Sequence, residues 1–100
     1  MSRLPKLDPL FHQPARTRLS FLLSGKSRSF AQLKSELELT DGNLDAHLRR
    51  LSAAGYLHSR MVVDGRPRTL YALSPSGRRA FMAYVAALRV WLEQSTDEEG

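Results

Sequence analysis

The sequence predicts one mainly α-helical domain closed by a small β-hairpin, an α+β arrangement ordered helix, helix, helix, hairpin, long C-terminal helix. Three observations predict it. Leucines recur at helical spacing in three short segments before Gly55. After Gly55 the pattern changes to β-branched, aromatic and aliphatic residues flanking Asp64-Gly65-Arg66-Pro67. Ser74-Pro75 then opens a stretch whose apolar residues repeat every three or four positions to about Gln94.

Pro9 and Pro14 bracket Leu10-Phe11-His12-Gln13, a short helical or turn segment. It feeds a first helix starting near Pro14, because proline suits a first helical turn. Ala15, Leu19, Leu22 and Leu23 form one stripe of that helix, which ends near Gly25. Residues 24 to 29 read as a polar loop. Phe30, Leu33 and Leu37 mark a second helix with Ser29 as its cap. Glu38-Leu39-Thr40 is a turn of only a few residues. Thr40 caps a third helix running from about Thr40 to Ala54, Asp41 complements its dipole, and Gly55 supplies a left-handed stop. Two short helices across a tight turn, followed by a hairpin, make a winged helix-turn-helix.

The domain spans residues 1–94, with residues about 75–94 as an association helix and 95–100 as a flexible acidic tail. Charge is the first functional pointer. Four of the ten acids lie in the last eight residues, so residues 1 to 92 carry fifteen bases against six acids. A body this basic attracts polyanions, and nucleic acid is the usual one. Twelve of the bases are arginine, the residue suited to paired phosphate or guanine contacts.

Turning Leu44, Leu48 and Leu51 inward fixes the rest of the third helix through its ~100° step. Gly42, Asn43, Ala46, Arg49, Arg50 and Ala53 then face away from the core, with His47 on one flank and Asp45 on the other. Asparagine and arginine make paired hydrogen bonds to adenine and guanine edges, and small residues admit close approach to a groove. Asn43, Ala46, His47 and Arg50 are therefore expected nearest the bases, with Thr40 at the helix start. Phosphate contacts are expected from Arg16 or Arg18, Lys34, Arg49, Arg66 and Arg68. The last two sit at the hairpin tip, where they track the DNA backbone or enter the minor groove. Asp45 cuts against this pattern. It either accepts from a cytosine or pairs with Arg49 at i, i+4, and the pairing is the favoured reading.

The strings LDPLFHQPARTRLSFLL, FAQLKSELELTDGNLDAHLRRLSAAGYL and GRPRTLYALSPSGRRAF resemble compact winged-helix DNA-binding transcriptional regulators close to the MarR and ArsR groups. The resemblance covers about residues 7 to 92. It implies that Thr40 to Ala54 is a recognition helix, that Asp64 to Arg68 is a wing tip and that the chain forms a homodimer. The chain departs from the ArsR pattern in having no cysteine, so metal sensing is not carried over.

The last helix supplies its own reason to expect a dimer. Phe81, Tyr84, Val85, Leu88, Trp91 and Leu92 form a stripe wider than a small body needs, and part of it is expected against a second copy. The function expected is duplex DNA binding by a homodimer that regulates transcription. A protein-interaction module is the rival, and it would expose apolar residues on the third helix. A third reading is a ligand-sensing regulator with an effector of unknown identity, held in an aromatic pocket at the dimer cleft lined by Phe11, Phe81, Tyr84 and Trp91.

Other classes find no support. The chain carries no phosphate loop, nucleophile motif or paired carboxylates, so no catalysis is expected. His12, His47 and His58 lack metal-ligand spacing, and no metal or cofactor is expected. No apolar run reaches the roughly 18 residues of a membrane span, and the N-terminus does not resemble a secretory signal, so a soluble cytoplasmic protein is expected.

Overall fold

The structure is a computed structural model that describes residues 3–99, with side chains through Gln94. Helix α1 (Pro14–Gly25) leads into strand β1 (Arg28–Ser29) and helix α2 (Phe30–Leu37). Helix α3 (Asp41–Ala53) is followed by strands β2 (Leu57–Asp64) and β3 (Arg66–Leu73), and helix α4 (Pro75–Glu99) closes the chain.

Local chemistry explains the helix boundaries. Gln13 caps α1 by accepting the Arg16 amide at 2.8 Å, with Pro14 as first helical residue. Ser29 and Gln32 form a reciprocal capping box at the start of α2. Thr40 caps α3 through its hydroxyl oxygen, which accepts the Asn43 amide at 3.1 Å. The end of α3 is a Schellman motif. Gly55 stands at φ +79 while its amide donates to Ser52 and the Tyr56 amide donates to Leu51. The turn between α2 and α3 contains a feature the sequence does not announce: Glu38, with a side chain, sits in the left-handed region at φ 53.

The sheet is antiparallel in the order β1-β3-β2. Strand β1 lies inside the expected polar loop, where Arg28 pairs with Tyr71 and Ser29 with Leu70. Two residues carry too short a pattern to read as a strand, and only β3 makes them one. The hairpin is also tighter than the expected four-residue turn. Gly65 at φ +100 is the tip, Asp64 faces Arg66, and Pro67 lies in the ladder opposite Val63. Proline is tolerated there because β1 covers β3 only at Leu70 and Tyr71, leaving one edge open beside Pro67.

The core joins Leu19 and Leu23 of α1, Leu33 and Leu37 of α2, Leu44, Leu48 and Leu51 of α3, Leu73, and Phe81 and Tyr84 of α4. Phe11, fully buried in the turn before α1, is its aromatic hub. Its ring centroid lies 5.6 Å from Tyr56, 5.4 Å from Phe81 and 5.8 Å from Tyr84. Each buried leucine contributes about 1.5–3 kcal/mol relative to exposure, which is what seats α3.

Helix α4 starts on Ser74, whose hydroxyl oxygen accepts the Gly77 amide at 3.0 Å. Gly77 is required by close packing. A Cβ there would sit 2.2 Å from the Tyr56 carbonyl oxygen. Helix α4 continues as helical backbone through Glu99, past the expected domain end at residue 94, while Gly100 and the side chains after Gln94 lie outside the described part. Extending an existing helix needs no new nucleus, so the charged sequence continues it.

Candidate nucleic-acid interface

The inward leucines orient α3 as expected. Leu44, Leu48 and Leu51 are 0–4% exposed, while Gly42, Asn43, Ala46, Arg49, Arg50 and Ala53 are exposed. No large apolar side chain lies on that outer face. Thr40 stands at its N-terminal end with its hydroxyl oxygen occupied by the cap.

The arginines on and around this face divide into paired and unpaired sets. Arg49 donates to Asp45 at 2.7 Å, which gives that carboxylate the i, i+4 partner favoured from the sequence. Lys34 meets Asp41 at 2.8 Å, and Arg68 meets Asp64 at 3.2 Å. All three pairs are solvent-exposed, where an ion pair is worth about 0–1 kcal/mol and is readily exchanged for another anion. Arg66 and Arg50 make no ion pair among the described residues.

Arg16 and Arg18 separate. Two positions on a helix are about 200° apart, and the structure follows that rule. Arg16 is half-buried beside α3: its Nε donates to the Leu10 carbonyl at 2.6 Å, and Nη1 lies 3.3 Å from Nδ1 of His47. Arg18 lines a groove between α1 and α4 with Phe21, Leu22, Val85 and Leu88. Of the two, Arg16 therefore stands beside α3.

His47 is also less open than a base-reading residue would be. Burial, then Arg16 and Arg50, hold its imidazole below the ordinary histidine range. Burial and Arg50 likewise lower the Arg16 guanidinium. His47 is thus kept neutral in the free protein, so a protonated phosphate contact is not its resting state.

The hairpin register identifies a residue that sequence reading omitted. Paired residues share a sheet face, and faces alternate along each strand. Arg60, Val62 and Asp64 therefore share a face with Leu70, Arg68 and Arg66. Arg60 joins the two expected wing arginines on one side. Counting back by twos from Asp64 would have found it. The other side carries Met61 and Val63, which are 68% and 71% exposed, opposite Thr69 and Pro67.

The expected association stripe on α4 is only partly available. Phe81 and Tyr84 are each 5% exposed and belong to the chain's own core, because Phe11 packs against both. Val85 and Leu88 are half-buried along the α1–α4 groove, which has a volume of about 410 Å³. Trp91 is partly exposed, and its indole N–H donates to the Pro5 carbonyl at 2.7 Å. Leu92 is 62% exposed. Of the residues expected to line an aromatic pocket at a dimer cleft, Phe11 is enclosed and Trp91 bonds the N-terminal segment, while Phe81 and Tyr84 border the α1–α4 groove.

Comparison with known proteins follows this geometry. Residues 17–92 match the family described as winged helix DNA-binding domain. An uncharacterised protein of Methanocaldococcus jannaschii is 36% identical over 78 residues, covering 76% of this chain and 85% of its own. An uncharacterised HTH-type transcriptional regulator of the same archaeon is 30% identical over 67 residues, covering 66% and 70% respectively. Among solved structures, a transcriptional regulator homologue from Pyrococcus horikoshii superposes with a TM-score of 0.79 at 27% identity. That match covers 85% of this chain and 86% of the other. A MarR-family regulator of Enterococcus faecalis shares the fold at a TM-score of 0.75 and 20% identity, over 98% and 97% of the two chains.

Proposed function

This chain belongs to the winged helix DNA-binding domain family, and from that premise we propose that it is a sequence-specific, duplex-DNA-binding transcription regulator acting as a homodimer. The observation that carries the reading is the outer face of α3. Asn43, Ala46 and Arg50 are exposed there above three buried leucines, and no apolar patch competes for a protein partner.

In this reading α3 enters the major groove. Asn43 and Arg50 present the side chains able to bond base edges, and Ala46 permits close approach. Arg16, Arg49 and Lys34 meet flanking phosphates, the last two by exchanging Asp45 and Asp41 for the polyanion. Arg66 and Arg68 bring the wing to the backbone, with Arg60 on the same side. Two copies joined along α4 present two recognition helices about one DNA turn apart, which calls for an inverted-repeat site. Such work belongs in the cytoplasm.

A salt titration of binding to mixed-sequence duplex tests the reading. Affinity should fall steeply, with a log–log slope near −0.9 per phosphate neutralised, and a flat response overturns the proposal. Arg50→Ala should cost about 1–3 kcal/mol and relax choice at one base position. A uniform loss across all sequences would make Arg50 a phosphate contact instead.

A further inference from the structure

Arg16, His47 and Arg50 come together where α1 meets α3, two guanidiniums beside one imidazole. Arg16 is held in place by its Nε bond to the Leu10 carbonyl, so its Nη groups project past the 8–13 turn towards α3. A guanidinium only donates hydrogen bonds, so Nδ1 of His47 accepts from it at 3.3 Å. The neutral ring therefore carries its proton on Nε2. Arg50 follows His47 by three positions, within one turn on the same helix side, and its charge acts on both partners.

Among the described residues, the groups around this cluster supply no compensating acid. Among them, Arg16 of α1 and Arg50 of α3 are the charges that act on the imidazole. In the 8–13 turn, Asp8 accepts the Leu10 amide at 3.0 Å, while Nδ1 of His12 bonds the Tyr84 hydroxyl at 2.8 Å. Asp45 and Asp41 are engaged by Arg49 and Lys34.

We propose that Arg16 and His47 form one cleft for a DNA backbone phosphate, bordered by the charge of Arg50, whose own guanidinium stays with the bases, and that His47 takes up a proton on Nδ1, giving up its bond from Arg16, as the phosphate enters. The cleft rests on the DNA-binding reading above and adds to it a specific phosphate subsite with a pH-dependent grip. A phosphodiester keeps a single negative charge across the neutral and mildly acidic range, so any titration there belongs to the protein. In the free chain burial and two guanidiniums disfavour imidazolium. An anion seated beside His47 opposes that field and shifts the balance towards imidazolium. The complex then binds more protons than the free protein, and affinity rises as pH falls from neutral through the histidine range.

The test is binding of a labelled duplex of about 20 base pairs, two helical turns, at fixed ionic strength from about pH 8 to about pH 5.5. The wild-type chain should tighten several-fold on acidification, by up to about tenfold for each unit by which the His47 pKa differs between free and bound states. His47→Gln, which keeps an acceptor for Arg16, should bind with no such slope. An unchanged slope in His47→Gln, or a flat wild-type response, overturns the cleft. Titration of the His47 ring by NMR gives a second readout that needs no variant: its pKa should rise when duplex is added, and a fall or no change overturns the cleft. Absence of salt-dependent binding by the wild type at every pH overturns the DNA reading itself, so the two failures are distinguishable.

Discussion

Ser20 sits on the core side of α1 at 0% exposure, and its hydroxyl has no hydrogen-bond partner among the described residues. A buried hydroxyl without a partner carries a desolvation cost that methyl does not. Ser20→Ala should therefore raise stability by about 1 kcal/mol, read as a higher denaturant midpoint at unchanged slope. A loss of stability would mean that the hydroxyl is satisfied, by solvent or by its own helix. Sequence reading handled single residues unevenly. Asp45 was legible, because its partner lies four positions away on the same helix. His47 was not, because what decides its state is Arg16, thirty-one positions earlier. Contacts across that separation exist only once α1 packs on α3.

At the scale of elements, helix boundaries were largely readable and strand details were not. Helix limits follow local chemistry, such as the Thr40 cap and the Gly55 stop. Strand limits follow the partner strand, so β1 was missed and the hairpin turn was drawn too long. The wing also carries a testable opposition of charges. Asp64 holds Arg68 at 3.2 Å on the same face as Arg66, and its own charge repels phosphate. Asp64→Asn should strengthen duplex binding modestly. Arg66→Ala should weaken it and reduce the salt slope by about one. If Asp64→Asn binds no better than the wild type, the wing tip lies away from the DNA backbone.

For the whole molecule, the question is what covers the apolar side away from α3. Phe21 on α1 and Met82 on α4 are 67% and 58% exposed, and the α1–α4 groove joins that surface. Exposed apolar groups of this kind are what association removes from water. We propose that a dimer uses Val85, Leu88 and Leu92 of the expected stripe with Phe21 added to it, since Phe81 and Tyr84 belong to the core. Phe21→Asp should shift sedimentation from dimer towards monomer and reduce affinity for an inverted repeat more than for a half-site. A wild-type chain that sediments as a monomer at tens of micromolar would remove the dimer. Phe21 lies off the Ala15, Leu19, Leu22 and Leu23 stripe of α1, and the fold leaves it 67% exposed.

The sequence by itself determined the order of the four helices and the hairpin, the inward leucine stripe of α3 and the polar face opposite it. Those properties are written in spacing, caps and turn residues, which act within a few positions. The family followed from the same local strings. Tertiary structure alone decided that Arg16 rather than Arg18 lies against α3, that Arg60 sides with Arg66 and Arg68, and that Phe81 and Tyr84 are core. Each of these depends on which way an element turns when it packs. That orientation is fixed by burial summed over distant partners, with Phe11 at the centre, and no local pattern encodes it.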